Sequence, residues 1–171
     1  MKKVGVLFAI TCSVCLGGLG ERLNGQGLDR FESGYLTPLK FQTGEAQFGN
    51  WKISASSRLA NQGKFSYGPG NVFLTGPESA WVEGVSGDGI GQWLQFDFDY
   101  PQLFSKVIIQ NGYQRTDKAF RENGRVRELR LTWPGGQKTV VLKDTKGAQS
   151  IPLKKGGCDV GGWAIIQFYQ P

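Results

Sequence analysis

The chain has 171 residues, 26 of them glycine, with 20 Lys and Arg against 14 Asp and Glu for a formal charge of +6, and no histidine. That length builds one domain with its own core and no second one of comparable size. Without His there is no Ser-His-Asp triad, no ordinary neutral-pH proton shuttle and no His-containing metal site, and the mild basic excess does not call for nucleic acid as a partner.

Met1-Lys2-Lys3 is followed by an apolar run from Val4 to Leu16 and by Gly17-Gly18-Leu19-Gly20 ahead of Glu21. Charge order, apolar length and small residues at the exit predict a signal peptide over residues 1–20, too short for a permanent transmembrane segment. The protein is therefore expected outside the cytoplasm, in the periplasm, on the cell surface or secreted. Cys12 and Cys15 fall in this segment, but Thr11 and Val14 directly before them are not the small residue of a lipid-attachment box. Cleavage would leave Cys158 as the remaining thiol, with no intrachain disulfide available, and would lower the charge to +4.

Residues 21–36 are polar and Gly-bearing and read as a leader or linker, which leaves 37–171 for the folded domain. Turn signals then recur at short intervals, among them Gly49-Asn50, Gly68-Pro69-Gly70, Gly87-Asp88-Gly89, Asn111-Gly112, Asn123-Gly124 and Pro134-Gly135-Gly136. Such dense punctuation predicts an all-β sandwich, with helix confined to brief pieces near 70–74 and 116–121. Leu94, Phe96 and Phe98 alternate with Gln95 and Asp97, and Leu129, Leu131 and Trp133 with Glu128, Arg130 and Thr132, as strands with one dry face do. Runs 107–109 and 164–166 lack alternation and are expected as central strands covered on both faces. Pro134-Gly135 predicts a hairpin.

The chemistry-bearing residues crowd into 83–130. Glu83 and Asp88 are the nearest carboxylate pair in a Gly-rich loop, but glycosidases need two carboxyls across a cleft, and loop acids more commonly cap turns. The glycines of 84–91 precede a strand rather than a helix, so no phosphate loop is present. Arg115, Lys118, Arg121, Arg125, Arg127 and Arg130 are interleaved with Asp117, Glu122 and Glu128, the pattern of an internally paired loop rather than a nucleic-acid surface. Sugar binding asks for an aromatic face and for side chains that reach hydroxyls. The expected ligand-binding set is Glu83, Asp88, Asn111, Tyr113, Arg115, Lys118, Asn123 and Arg125, with Arg115, Lys118 and Arg125 meeting an acidic glycan. Each has a plainer role as well: Asn111 and Asn123 in turns before Gly, Tyr113 against the sandwich edge, Arg125 paired with Glu83 or Glu122.

SASSRL (54–59), SYGPGNVF (66–73), ESAWVEGVSGDGIGQW (78–93), IIQNGYQRTDKAF (108–120) and ENGRVREL (122–129) together resemble the NADase-type glycan-binding domain, a bacterial relative of the discoidin or galactose-binding-like fold. The resemblance spans roughly residues 52–169 and implies a jelly-roll β-sandwich with a glycan- or surface-recognition role. Domains of this type are attached to a secreted NAD glycohydrolase, where they serve translocation and the NAD-cleaving activity lies in a separate domain. A Trp ending a loop of this shape packs inward in such domains, so Trp81 is expected in the core. Leu74-Thr75 stands where the family commonly has Asp-Gly, so an ion-binding role there is not carried over. The expectation is an exported, non-enzymatic module, needing no cofactor or metal, that binds a glycan or cell-surface component; the alternative is an interaction or translocation-accessory domain for another exported protein.

Overall fold

The computed structural model describes residues 5–9, 41–42, 45–48, 51–73, 80–99, 103–104, 106–153, 158–159 and 162–169. The leader 21–36, Cys12, Cys15 and Leu74-Thr75 lie outside them. In chain order the strands are β1 (Gly5–Ala9), β2 (Phe41–Gln42), β3 (Glu45–Phe48), β4 (Trp51–Ala55), β5 (Trp81–Val82), β6 (Trp93–Phe98), β7 (Leu103–Phe104), β8 (Lys106–Asn111), β9 (Glu128–Trp133), β10 (Gly136–Val141), β11 (Ala148–Pro152), β12 (Cys158–Asp159) and β13 (Trp163–Phe168). The helical pieces are a 3-10 turn at Pro69–Phe73 and α1 at Asp117–Glu122.

Among the described residues one sheet runs β10-β9-β13-β6-β4-β3-β2 and a second β11-β8-β1-β5, with β12 and β7 pairing apart, and every pairing is antiparallel. Ile53, Phe96, Leu131 and Ile166 of the larger sheet share one core with Trp81, Ile109 and Ile151 of the smaller. This is the all-β sandwich that the turn spacing predicts, and the dry faces fall where alternation places them: Leu94, Phe96, Phe98, Leu129 and Leu131 are all buried. The hairpin is present too, with Trp133 opposite Gly136. The unbroken apolar runs depart from expectation. β8 and β13 are interior strands of their sheets, yet Ile108 and Ile165 are only half-buried while Val107, Ile109 and Ile166 are buried. Each strand has one packed face, and the apolar residues on the other reflect β-propensity rather than a second covering layer.

The registers fix which loops meet. Ala55 pairs with Leu94, Gln167 with Trp93, Phe168 with Leu129 and Val141 with Glu128, so β4 and β13 end where β6 and β9 begin. In the other sheet β8 ends opposite the start of β11, Gln110 facing Ala148. The segments 56–73, 83–92, 112–127 and 142–147 therefore emerge at one end of the sandwich, and the Pro134-Gly135 turn at the other.

Gly5–Ala9, inside the predicted signal peptide, is strand β1, inserted between β8 and β5 with Val6 opposite Asn111, Ala9 opposite Ile108 and Gly5 opposite Val82. A short apolar run satisfies an interior strand as readily as an export segment, and periodicity does not separate the two. The consequence is measurable by amide exchange. Relative to the full chain, a chain beginning at Glu21 is expected to lose protection at the amides of Ile108–Asn111 that face β1, and unchanged protection would contradict the pairing.

Phe96 is 2 % exposed at the centre of the larger sheet. Phe96→Ala is expected to cost about 3–5 kcal/mol in denaturant unfolding, against little change for the exposed Val141→Thr.

Candidate binding site

The loops at this end hang on the residues that close β4. The Trp81 indole is fully buried, lies 5.3 Å from the Phe168 ring, and donates from Nε1 to Ser57 O at 2.9 Å. Ser57 Oγ donates to Gln92 Oε1 and accepts from Gly84 N at 2.9 Å, while Ser56 Oγ donates to Gln92 Oε1 at 2.8 Å and accepts from Trp93 N at 3.0 Å. The two serines thus pin both ends of the glycine loop 84–92. Gly84 lies so close to Arg58 that a Cβ would stand 2.4 Å from its carbonyl oxygen, which is why the position takes no side chain. Gly89, at φ +66, closes over buried Glu83 and Phe168.

A second support lies under 112–127. Asn111, 1 % exposed, donates from Nδ2 to Val126 O at 2.7 Å and accepts from Val126 N at 2.9 Å, so its amide stands in for one rung of a β ladder. Gln114 Oε1 accepts from Gly147 N at 2.9 Å, tying in the 142–147 loop. Thr116 caps α1 by accepting from Ala119 N, and Asn123 closes it by donating from Nδ2 to Ala119 O at 2.8 Å. Gly112, at φ +82, leaves room for the Arg125 stem, which a Cβ would meet at 2.6 Å.

Arg125 then fans out over its loop. It pairs with Asp144 through Nε and Nη2 at 2.7 and 3.0 Å, donates from Nη1 to Phe120 O and Asn123 O, and stacks over the Phe120 ring at 4.9 Å. On either side of residues 125–127 lie two open clefts. One, ≈ 330 Å³, is lined by Asn123, Gly124, Leu142 and Asp144 together with that shared segment; the other, ≈ 380 Å³, by Asp88, Ile90, Glu128, Phe168 and Tyr169 with the same segment. Arg130 stacks on Tyr169 at 3.7 Å beneath the second cleft.

All eight predicted site residues lie at this end, but they divide. Asp88, Asn123 and Arg125 line the clefts. Glu83 and Asn111 are buried beneath them, and Lys118 is exposed on α1 beside Glu122 at 3.9 Å. Tyr113 and Arg115 belong to a separate aromatic group with Phe65 and Tyr67. Neither anticipated partner of Arg125 is used, since Asp144 takes it.

Residues 46–166 match the model of the NAD glycohydrolase translocation F5/8 type C domain. The chain belongs to that family. Over 117 residues this F5/8 type C domain is 26% identical to an alpha-(1->3)-arabinofuranosyltransferase of Mycolicibacterium smegmatis, a match covering 64% of this chain and 8% of that protein. It also superposes on the cryo-EM structure of arabinofuranosyltransferase AftD from mycobacteria at TM-score 0.52 and 18% identity, over 70% of this chain and 9% of that one, a likeness of fold. The chain spans less than a tenth of either relative.

Asp144, Tyr169, Lys64 and Phe65 are residues of the F5/8 type C domain that sequence reasoning passed over, and Arg127 it read only as part of an internally paired loop. Asp144 meets Arg125 only through the tertiary fold, and no period or motif marks it. Its carboxyl is held below the ordinary value of 3.8 chiefly by the Arg125 hydrogen bond. A depressed folded pKa gives stability that is full above the unfolded value and lost as pH falls through the folded one. Wild type is therefore expected to lose stability more steeply than Asp144→Asn as pH falls below the ordinary carboxylate range, by a small margin because Asp144 is largely exposed. Identical acid limbs in thermal unfolding would contradict the pairing. Asn111→Ala, by orphaning buried backbone groups of Val126, is expected to cost about 1–3 kcal/mol for each group left unsatisfied.

Proposed function

We propose that this domain is an exported, non-catalytic module that binds carbohydrate or another cell-surface component through the loop end of the sandwich. The observation that carries the proposal is the shared segment 125–127, which sets cationic, acidic and aromatic groups along two adjoining open clefts. Guanidinium and carboxylate groups there can meet sugar hydroxyls, and Tyr169 in the lining of the second cleft is the aromatic ring available to an apolar sugar face. The similarity to part of two arabinofuranosyltransferases is in keeping with a carbohydrate ligand, and the family's description as a translocation domain is in keeping with export. Placement supports the non-catalytic reading of the Glu83 and Asp88 pair: carboxylates that cleave a glycoside must both face the substrate, and Glu83 is 0 % exposed while Asp88 stands in the open.

A glycan array on the purified domain, followed by calorimetry on a bound glycan, tests the proposal. Asp88→Ala and Arg127→Ala are each expected to weaken binding by about 1–3 kcal/mol without shifting the unfolding midpoint, and chelator to leave it unchanged. Unaltered affinity in both variants would move the site away from the clefts. Export is tested by N-terminal sequencing of protein from fractionated cells: a form outside the cytoplasm that begins at Glu21, and so lacks β1, is the expected result, and an intact cytoplasmic Met1 form that keeps β1 is the contrary one.

The second reading, a docking surface for another exported protein, draws support from Ile90, which is 53 % exposed at the edge of one cleft. In that case the array is blank, and Ile90→Ser weakens capture of a protein partner.

A further inference from the structure

The cations at the loop end are not equivalent. Arg125 is paired with Asp144, Lys146 with Asp117 at 2.6 Å, and Lys118 with Glu122. Lys64 and Arg115 have no carboxylate partner and no hydrogen-bond acceptor among the described residues. They meet instead on one apolar ring: the Arg115 guanidinium lies 4.1 Å from the Phe65 centroid, and the Lys64 ammonium 5.7 Å from it. Both side chains are exposed. The loop that carries Lys64 and Phe65 has no Asp or Glu from Ser54 to Phe73, and its other cation, Arg58, bonds the neutral Asn61.

Phe65 is fixed from beneath. It packs with Leu59 and Tyr113 on buried Tyr67, whose ring meets Tyr113 edge-on at 6.3 Å. The Tyr113 hydroxyl is shielded from water and has no hydrogen-bond partner among the described residues. The Arg115 guanidinium, held over the ring and with no acceptor of its own among the described residues, keeps its N–H fork available for the paired oxygens of a carboxylate or sulfate. Two neighbouring, unneutralised cations on a rigid apolar base are a prepared anion site, and the charge costs no broken ion pair when the ligand arrives.

We propose that Lys64 and Arg115, held on Phe65, form a second site at the loop end that binds the carboxylate or sulfate groups of an acidic polysaccharide. This deepens the carbohydrate reading and rests on it for the class of polymer. It also alters the acidic-glycan set expected from sequence: of Arg115, Lys118 and Arg125, Arg115 alone is unpaired, and its partner is Lys64.

The test is a binding titration of the full domain with heparin (sulfated), polygalacturonate (carboxylated) and dextran (neutral), plus one neutral glycan bound on the array if any is. Lys64→Gln and Arg115→Gln are each expected to weaken binding of at least one acidic polymer about tenfold at low salt, with the wild-type affinity itself falling as salt rises. Lys118→Gln, which removes an equally exposed charge, is expected to change it less than about twofold. Neutral-glycan affinity is expected to stay at the wild-type level in all three. Lys64 carries no structural bond, so its variant reads the site even if Arg115→Gln disturbs the loop. Equal loss in Lys118→Gln would replace the site by diffuse attraction and overturn the proposal. Acidic polymers left unbound while a neutral glycan binds would overturn this site and leave the carbohydrate reading standing; binding of neither defeats both. Tighter binding to phosphatidylglycerol vesicles than to either polymer, abolished in Lys64→Gln, would overturn the ligand class.

Discussion

The binding end depends on the bond between the Trp81 indole and the Ser57 carbonyl. A large aromatic is fully buried between the sheets, yet its one polar group is satisfied by the chain that leaves β4, so the indole both fills the core and pins the first loop. The serine hydroxyls beside that carbonyl then carry the glycine loop, and Phe168, packed on the same indole, brings the end of β13 and Tyr169 to the edge of the cleft. Hydrogen bonds of this kind contribute about 1 kcal/mol each, and most of those made by the serines are exposed to solvent, but together they anchor both ends of the glycine run.

Charge is distributed to the same effect. In the loop 112–127, the most basic stretch, Arg125 is neutralised from outside by Asp144 and Lys118 is paired within the loop by Glu122, while Asp117 is taken by Lys146 of the neighbouring loop. Arg125 also satisfies two backbone carbonyls, so its guanidinium acts as a structural node as much as a ligand group. At Phe65 two further cations without a carboxylate partner among the described residues come together, Lys64 from the acid-free segment that follows β4 and Arg115 from the loop 112–127. One end of the sandwich therefore presents two surfaces, a polar cleft with balanced charge and a cationic platform on an aromatic base.

Much of the fold was legible because it rests on local rules. Period-two alternation located the dry faces of β6 and β9, and the brief helical pieces expected near 70–74 and 116–121 stand at Pro69–Phe73 and Asp117–Glu122. The half-exposure of Ile108 and Ile165 was not legible, since coverage of a strand depends on what is packed above it, which no run of apolar residues encodes. The site was legible in outline only. Asn111-Gly112 and Asn123 were visible as turn chemistry, but that the Asn111 amide replaces a ladder rung of Val126 requires the two segments in place. Likewise Arg125 finds Asp144 nineteen residues away, and Lys64 finds Arg115 through a shared ring, contacts fixed by tertiary geometry alone.

The central claim is that ligand binds at the loop end and nowhere else on the sandwich. Amide chemical-shift mapping on isotopically labelled protein, titrated with a bound glycan, tests it residue by residue. The perturbed amides are predicted to cluster in 84–92, 112–116 and 123–128, together with 62–67 when the glycan is acidic. Perturbations centred on the opposite end, around Pro134-Gly135 and its flanking strands, would contradict the account.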